Sequence, residues 1–269
     1  MNPKTTLESR SYTPKFGINC MYPAPGIIER IGPDWDWIWI DGQHGQVASY
    51  DTMLAMVRAC NLIGRPAFVR VPSHESAWIS LALDADADAV IVPQVETVAE
   101  AKAVVKAAKF PPLGNRSYGG RRPIDRHGRA FSNNANTERL LVCQIESESA
   151  LAEAESIAGV DGVDALFLGP DDMMLRKGLG MEQPRKPEMM ADCVQRLTAA
   201  CRAQGKLSFT VAVGDETLAL CLSHGVDYIV VGGDVPFLAT MSQTTKKHAV
   251  EFAAGLAGAS ASSSLKSLY

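Results

Sequence analysis

Short apolar runs alternate along the chain with segments whose apolar residues recur every three or four positions. The second pattern, in residues 97–109, 147–159 and 189–205, predicts helices. Thr97 and Ser147 can cap two of these helices, because a hydroxyl accepts hydrogen bonds from the free N–H groups of the first turn. The apolar runs end in Gly, Pro or charged residues and predict eight strands, at residues 16–21, 36–41, 66–71, 89–94, 140–146, 165–169, 207–213 and 228–232.

This alternation predicts an α/β protein. Strands that are apolar throughout are typical of a parallel sheet covered by helices, and eight repeats favour a closed (β/α)8 TIM barrel over an open sheet. The 269 residues suit one such domain, since these barrels take roughly 250 residues. We expect a single barrel over residues 1–258 and a disordered tail over residues 259–269.

Composition and charge limit the kinds of molecule that this protein can be expected to bind. A net charge of −4 and a pI near 5.8 provide no broad positive surface for nucleic acid. No apolar run approaches the roughly 18 residues of a membrane span, and the N-terminus has no apolar signal segment. The six cysteines have no CxxC spacing, so we expect buried, reduced thiols. These features indicate a cytoplasmic protein that acts on a small molecule, without nucleic acid or membrane.

Polar side chains follow four of the predicted strands, at the point where each strand ends. They are His44, Arg70, Glu146 and Asp172. The carboxyl ends of parallel strands share one rim of a barrel, and active sites form on that rim. The pattern therefore predicts an enzyme.

The two carboxylates suit a metal site. Glu146 and Asp172 follow neighbouring strands, so both can reach one hard divalent cation that keeps water ligands for a substrate to displace. In the alternative, structural interpretation, each residue caps the helix that follows it. The segment GPDDM turns at Gly169 and Pro170 into a short helical stretch, so its backbone N–H groups could hold a substrate carboxylate beside Asp172.

His44 and Arg70 each have a catalytic and a structural interpretation. A histidine can exchange a proton near neutral pH, and Asp41 lies three positions away; His44 could equally be only a structural hydrogen-bonding residue. Arg70 ends a buried strand, so its charge needs an anion. That anion is either a structural carboxylate or a negatively charged oxygen of a reaction intermediate.

Residues 111–138 show no convincing period and predict a long loop. We expect this loop at the mouth of the active site, where barrel loops build the binding surface. Its arginines favour a surface that is exposed to solvent or lies between subunits. The alternative is a basic gate, a positively charged entrance that attracts an acidic substrate. They are Arg116, Arg121, Arg122, Arg126 and Arg129.

Six motifs in order carry a family resemblance, and the match runs from about Phe16 to about Leu238. They read WIWIDGQHG, FVRV, LALDADADAVIVPQVET, FPPLGNRSYGG, VCQIES and ALFLGPDDM. In this order and spacing they resemble the HpcH/HpaI class II pyruvate aldolases. The resemblance implies a barrel of the phosphoenolpyruvate/pyruvate superfamily type.

The resemblance also implies a role for each matching position. Glu146 and Asp172 look like the two metal carboxylates, which hold Mg2+ or Mn2+, with Co2+ or Zn2+ as further candidates. His44 resembles the catalytic base and Asp84 its carboxylate partner, while Asp41 supports the same motif.

The remaining implied roles concern the substrate. Arg70 is similar to the residue that steadies an enolate, and Gln144 to a polar neighbour of the metal. The amides of Asp171 and Asp172 would hold the carboxylate of a 2-oxo acid. The implied reaction is reversible cleavage of a 4-hydroxy-2-oxo acid to pyruvate and an aldehyde through a metal-stabilised pyruvate enolate. No lysine ends a predicted strand, which agrees with a metal mechanism.

Members of this family are usually homo-oligomers built from dimers, hexamers included. Residues 236–258 could form an exchanged helix in such an assembly or simply the eighth barrel helix. Two positions depart from the family pattern, namely Gln43 in place of an acidic residue and the first strand FGINCMYPAP. We therefore do not transfer acceptor specificity.

Three other functions remain open. One is an acyl-CoA lyase of the citryl- or malyl-CoA type, although the first strand of this chain opens differently from that of such enzymes. The second is an enolate enzyme of the macrophomate synthase type. The third is a non-catalytic barrel that serves as a binding module; retention of four costly charged or polar residues at strand ends argues against it.

Overall fold

A computed structural model describes residues 12–182 and 185–265, with side chains described to residue 256. Eight parallel strands close into one barrel, and each strand pairs with its neighbours in chain order, β1 with β8 included. This confirms the predicted (β/α)8 TIM barrel and its eight strands. They are β1 Lys15–Cys20, β2 Trp37–Asp41, β3 Ala67–Arg70, β4 Ala89–Val92, β5 Leu140–Ile145, β6 Ala165–Leu168, β7 Leu207–Val211 and β8 Tyr228–Gly233.

Helices cover the outside of the barrel. The predicted caps are present, since Thr97 forms a capping box with Glu100 and the Ser147 hydroxyl accepts a hydrogen bond from the N–H of Ala150. The helices are α1 Pro25–Ile31, α2 Tyr50–Leu62, α3 Ser76–Asp84, α4 Val98–Ala108, α5 Arg121–His127, α6 Ser132–Glu138, α7 Glu148–Ala152, α8 Ala154–Ala158, α9 Pro170–Arg176, α10 Pro187–Ala203, α11 Asp215–Ser223 and α12 Asp234–Leu265.

Aromatic rings fill the barrel interior. Phe209 and Tyr228 stack with centroids 4.4 Å apart, and Trp37 lies 5.0 Å from Phe68. Gly17 faces Trp37, and a Cβ there would lie 2.3 Å from the indole ring. Because side chains fill the barrel interior, the space for a ligand that the strands line opens at their carboxyl ends.

Residues 111–138 differ from the prediction. They contain α5, a short 3-10 helix at Arg129–Phe131 and α6. The segment joins the end of α4 to the start of β5, so it lies at the amino ends of the strands. Its arginines contact acidic groups there: Arg116 pairs with Asp84, and Arg126 pairs with the buried Asp86. The expected position at the active-site mouth, and with it a basic gate, is therefore wrong.

The last helix leaves the barrel surface. Every described side chain from Leu238 to Leu256 is exposed. The helix extends to Leu265 and so includes residues 259–265, for which the sequence suggests disorder. Residues 266–269 lie outside the described residues. No described helix has the length and apolar character needed to span a membrane.

Candidate active site

A cavity of about 530 Å3 opens at the carboxyl ends of the strands. The structure brings together in its lining every predicted site residue except Asp84, namely Asp41, His44, Arg70, Gln144, Glu146, Gly169, Pro170, Asp171 and Asp172. A larger hollow of about 730 Å3 lies between α4 and α8 on the outer surface and has none of these groups in its lining. The smaller cavity is therefore the candidate active site.

Asp41 and Arg70 form a buried, two-pronged ion pair across β2 and β3. Arg70 Nε donates to Asp41 Oδ1 at 2.9 Å, and Nη2 donates to Oδ2 at 2.7 Å. Burial acts to raise the pKa of Asp41, but the hydrogen bonds and charge of Arg70 outweigh it, so the pKa lies below its usual range. The structural anion of Arg70 is thus Asp41.

The rest of the Arg70 guanidinium is aimed across the cavity. Its plane lies over the Trp39 ring, with Cζ 4.6 Å from the ring centroid. Nη1 points toward β5, 3.5 Å from Gln144 Oε1. Asp41 fixes the edge formed by Nε and Nη2, and Trp39 supports the face of the guanidinium. Nη1, whose contact with Gln144 is long, is the donor that can meet a substrate oxygen.

The turn after β2 carries His44 to the cavity rim. Asp41 Oδ1 accepts hydrogen bonds from the backbone N–H groups of Gln43 at 3.0 Å and His44 at 3.3 Å. The imidazole is exposed and forms no hydrogen bond to another residue of the described chain. One carboxylate therefore holds both the arginine and the histidine backbone in place.

Glu146 and Asp172 lie on the opposite side of the cavity. Glu146 is 1% exposed and its Oε2 accepts a hydrogen bond from the N–H of Gln94 at 3.0 Å. Gly169 lets the start of α9 approach, because a Cβ there would lie 2.6 Å from the Glu146 side chain. Among the described residues, no lysine or arginine forms an ion pair with either carboxylate.

The electrostatics of this pair favour a bound cation. Burial and then the charge of Asp172 raise the pKa of Glu146 to about 7, against the opposing influence of Arg70. Two carboxylates with this little compensation fit a hard divalent ion, whose charge would offset both. The residues present therefore fit the group that the family resemblance implies.

Another acidic group does not fit a cation as well. Ligand atoms of Glu148, Asp192 and Cys193 lie within 4.8 Å of one another. However, Lys177 contacts Glu148 at 2.6 Å and Arg196 contacts it at 2.9 Å. These side chains already neutralise the group, so it fits a cation less well than Glu146 and Asp172 do.

Asp84 does not lie beside His44 within the chain. It is the last residue of α3, which runs antiparallel to β3 and ends at the amino ends of the strands. There its carboxylate accepts a hydrogen bond from Arg116 at 2.7 Å. The predicted pairing of Asp84 with His44 is therefore absent in the single chain, because helix ends and strand ends lie on opposite faces of a barrel.

The cavity also contains residues that the sequence reasoning missed. Asn19 follows the pattern of the others, since it lies near the carboxyl end of β1, and Asp234 directly follows β8. Asp234 accepts hydrogen bonds from the N–H groups of Met21 and Tyr22 and so fastens β8 to β1. Arg185 comes from the segment between α9 and α10, where no strand end indicates a functional residue.

Comparison with known proteins identifies the family. Residues 27–240 match the model that describes HpcH/HpaI aldolase/citrate lyase. This chain belongs to that family of lyases. The resemblance read from the six motifs is confirmed.

Relatives in the HpcH/HpaI family include proteins named as aldolases. A 4-hydroxy-2-oxovalerate aldolase from Rhodococcus jostii (strain RHA1) is 35% identical over 77% of this chain and 80% of its own length. Another, from Novosphingobium aromaticivorans, is 42% identical over 58% of this chain, and the match spans 60% of that relative. A family protein from Burkholderia cenocepacia J2315 has a TM-score of 0.82 at 28% identity, covering 93% of this chain and 99% of the other.

Removing the charge of Asp41 should destabilise the protein strongly. In Asp41→Asn the buried Arg70 loses its ionised partner, and we expect the free energy of unfolding to fall by about 3–5 kcal/mol. Urea denaturation measures the change. The matched control is Asp125→Asn, whose partner Arg121 is 81% exposed; it should cost less than about 1 kcal/mol. Equal, small losses in both variants would contradict this account of Asp41.

Proposed function

We propose that this cavity is the active site of a divalent-metal-dependent pyruvate aldolase. It cleaves a 4-hydroxy-2-oxo acid reversibly to pyruvate and an aldehyde. The observation that carries the proposal is the pair formed by the buried Glu146 and the half-buried Asp172. Neither has an ion-pair partner among the described residues, and both line one cavity with Arg70. Family membership supports the same reaction class.

Glu146 and Asp172 would hold the cation, with Gln144 beside them. Oxygen donors without a histidine or thiolate favour Mg2+ or Mn2+ over Co2+ or Zn2+. When bound, the cation supplies Lewis-acid polarisation of the 2-oxo group, which acidifies the neighbouring carbon. None of the residues that line the cavity is a lysine, so the lining offers no amine for a Schiff base.

Arg70 stabilises the negative charge that develops on the enolate oxygen. Its donors are fixed before substrate arrives, because Asp41 holds two of its nitrogens and Trp39 supports its face. A preorganised donor needs no reorientation when charge appears, which makes its stabilisation specific to the transition state.

His44 takes a proton in one direction of the reaction and returns it in the other. Asp41 fixes the backbone of its turn, and the exposed imidazole reaches the cavity from the rim. We assign the substrate carboxylate to the backbone amides of Asp171 and Asp172, because both residues line the cavity next to Glu146. Pro170, which has no N–H, begins the helix ahead of them.

Hydrogen exchange on the methyl group of pyruvate tests the proposed reaction. With Mn2+ or Mg2+ in D2O, NMR should show metal-dependent exchange by the wild type. Glu146→Gln and His44→Ala should each lower the rate by about 100-fold or more, whereas Glu148→Gln, outside the cavity, should retain it. No exchange by the wild type with any divalent metal would contradict the proposal and direct attention to acyl-CoA substrates or to a binding role.

Metal affinity should depend on pH through Glu146. Without a cation this carboxyl takes up a proton as the pH falls through about 7, and the protonated form is a poor ligand. Mn2+ affinity should therefore rise as the pH increases to about 7 and then level off, with proton release on binding at lower pH. Calorimetry in buffers of different ionisation enthalpy measures both effects. Loss of binding in Glu148→Gln but not in Glu146→Gln would place the metal elsewhere.

We also propose that the protein is a cytoplasmic homo-oligomer held by α12. One face of this helix presents Leu238, Met241, Ala249, Phe252 and Leu256, at successive spacings of three, eight, three and four residues. The larger of these side chains are 52–63% exposed. A second copy would cover this apolar stripe. The six unpaired, buried cysteines support a reducing compartment.

Mass measurement in solution tests the assembly. Light scattering on the wild type should give a mass of at least twice the 28.9 kDa of one chain. Phe252→Glu should lower this mass, because a charge in the apolar stripe opposes association. Val250→Glu is the matched control, since Val250 is 55% exposed on another face of the helix. A monomeric wild type, or equal effects of both substitutions, would contradict the proposed interface.

A further inference from the structure

Arg185 places an unused donor in the active-site cavity. The residue precedes α10, and its side chain is 18% exposed. Its Nη2 pairs with Asp171 Oδ1. Its Nη1 is buried and has no hydrogen-bond partner among the described residues. A buried donor on a cation is costly when unpaired, so this nitrogen needs an oxygen acceptor.

Arg185 lies toward the mouth of the cavity, whereas Glu146 lies toward its floor. Its partner Asp171 is 53% exposed at the side chain, while Glu146 is 1% exposed. Arg70, the other arginine in the lining, is already committed to Asp41 and faces Gln144. Arg185 is therefore the group in the lining that can meet an anion remote from the metal.

An apolar wall completes this part of the cavity. It consists of Met21, Val211, Val213, Val230 and Pro236, from the β7, β8 and β1 side of the rim. Such a wall suits a short carbon chain, with a polar group needed only at the end of the chain. The arrangement has a metal site at one end, apolar side chains beside it and a guanidinium near the mouth.

We propose that Arg185 determines acceptor specificity by binding an oxyanion, such as a carboxylate, at the far end of the aldehyde. Nη2 stays with Asp171, which orients the guanidinium, and Nη1 donates to the acceptor anion. This inference rests on the proposed aldolase function. It assigns the acceptor to the class of aldehydes with a terminal anionic group.

Matched pairs of 2-oxo acids that cannot be cleaved test this assignment by binding alone. We would compare 2-oxoglutarate, 2-oxoadipate and 2-oxoheptanedioate with 2-oxopentanoate, 2-oxohexanoate and 2-oxoheptanoate, using calorimetry with Mn2+ present. Each pair differs only in a terminal carboxylate or methyl group. In at least one pair the wild type should bind the diacid about 10- to 100-fold more tightly, the range of a hydrogen bond to a charged group.

The variants separate Arg185 from general electrostatic attraction. Arg185→Gln should remove the preference for the diacid, while Lys186→Gln, the same charge change at an exposed neighbour outside the cavity, should retain it. The inference is overturned if the wild type shows no preference in any pair, if the preference survives in Arg185→Gln, or if Lys186→Gln removes it equally.

Two further outcomes are distinguishable. If Arg185→Gln weakens pyruvate and both members of a pair to the same degree, Arg185 binds the carboxylate next to the 2-oxo group, and the assignment to the acceptor is wrong. The comparison needs no turnover. Failure of pyruvate exchange in the wild type would therefore contradict the aldolase function and leave the binding result to decide the role of Arg185.

Discussion

Two carboxylates without a neutralising side chain are the constraint around which this site is built. Burying Glu146 next to Asp172 opposes ionisation, as the raised pKa of Glu146 shows. The barrel can hold them together because β5 and β6 are adjacent and because Gly169 lets α9 approach. A cation bound between them would offset the repulsion between the two carboxylates. The other residues of the cavity surround the position of that ion.

The opposite side of the cavity is fixed by a pair that is already neutral. Asp41 and Arg70 compensate each other, so the guanidinium keeps its position without substrate. The same carboxylate holds the turn that carries His44. Below them, aromatic rings fill the barrel and give the rim a rigid base. The side with Glu146 and Asp172 thus provides negative charge for a metal ion. The side with Arg70 provides a fixed hydrogen-bond donor for the enolate oxygen.

Much of this arrangement could be predicted from the sequence, because strand ends in a parallel barrel meet on one rim. That rule located His44, Arg70, Glu146 and Asp172. It does not reach Asp84, whose pairing with His44 was implied by the family resemblance alone, or residues 111–138. Asp84 ends a helix and residues 111–138 come after one, so both lie on the opposite face. Arg185 was missed for a different reason: its segment follows α9, and only the three-dimensional path of the chain brings it over the cavity.

The central claim is that a divalent cation binds between Glu146 and Asp172. Anomalous diffraction from crystals of the full chain soaked in Mn2+ tests it most directly, because it locates the ion without reference to activity. The account predicts one strong peak within coordination distance of both carboxylates, about 2.0–2.2 Å from their oxygens. A peak at Glu148, Asp192 and Cys193 instead, or no peak in the cavity at saturating Mn2+, would contradict it.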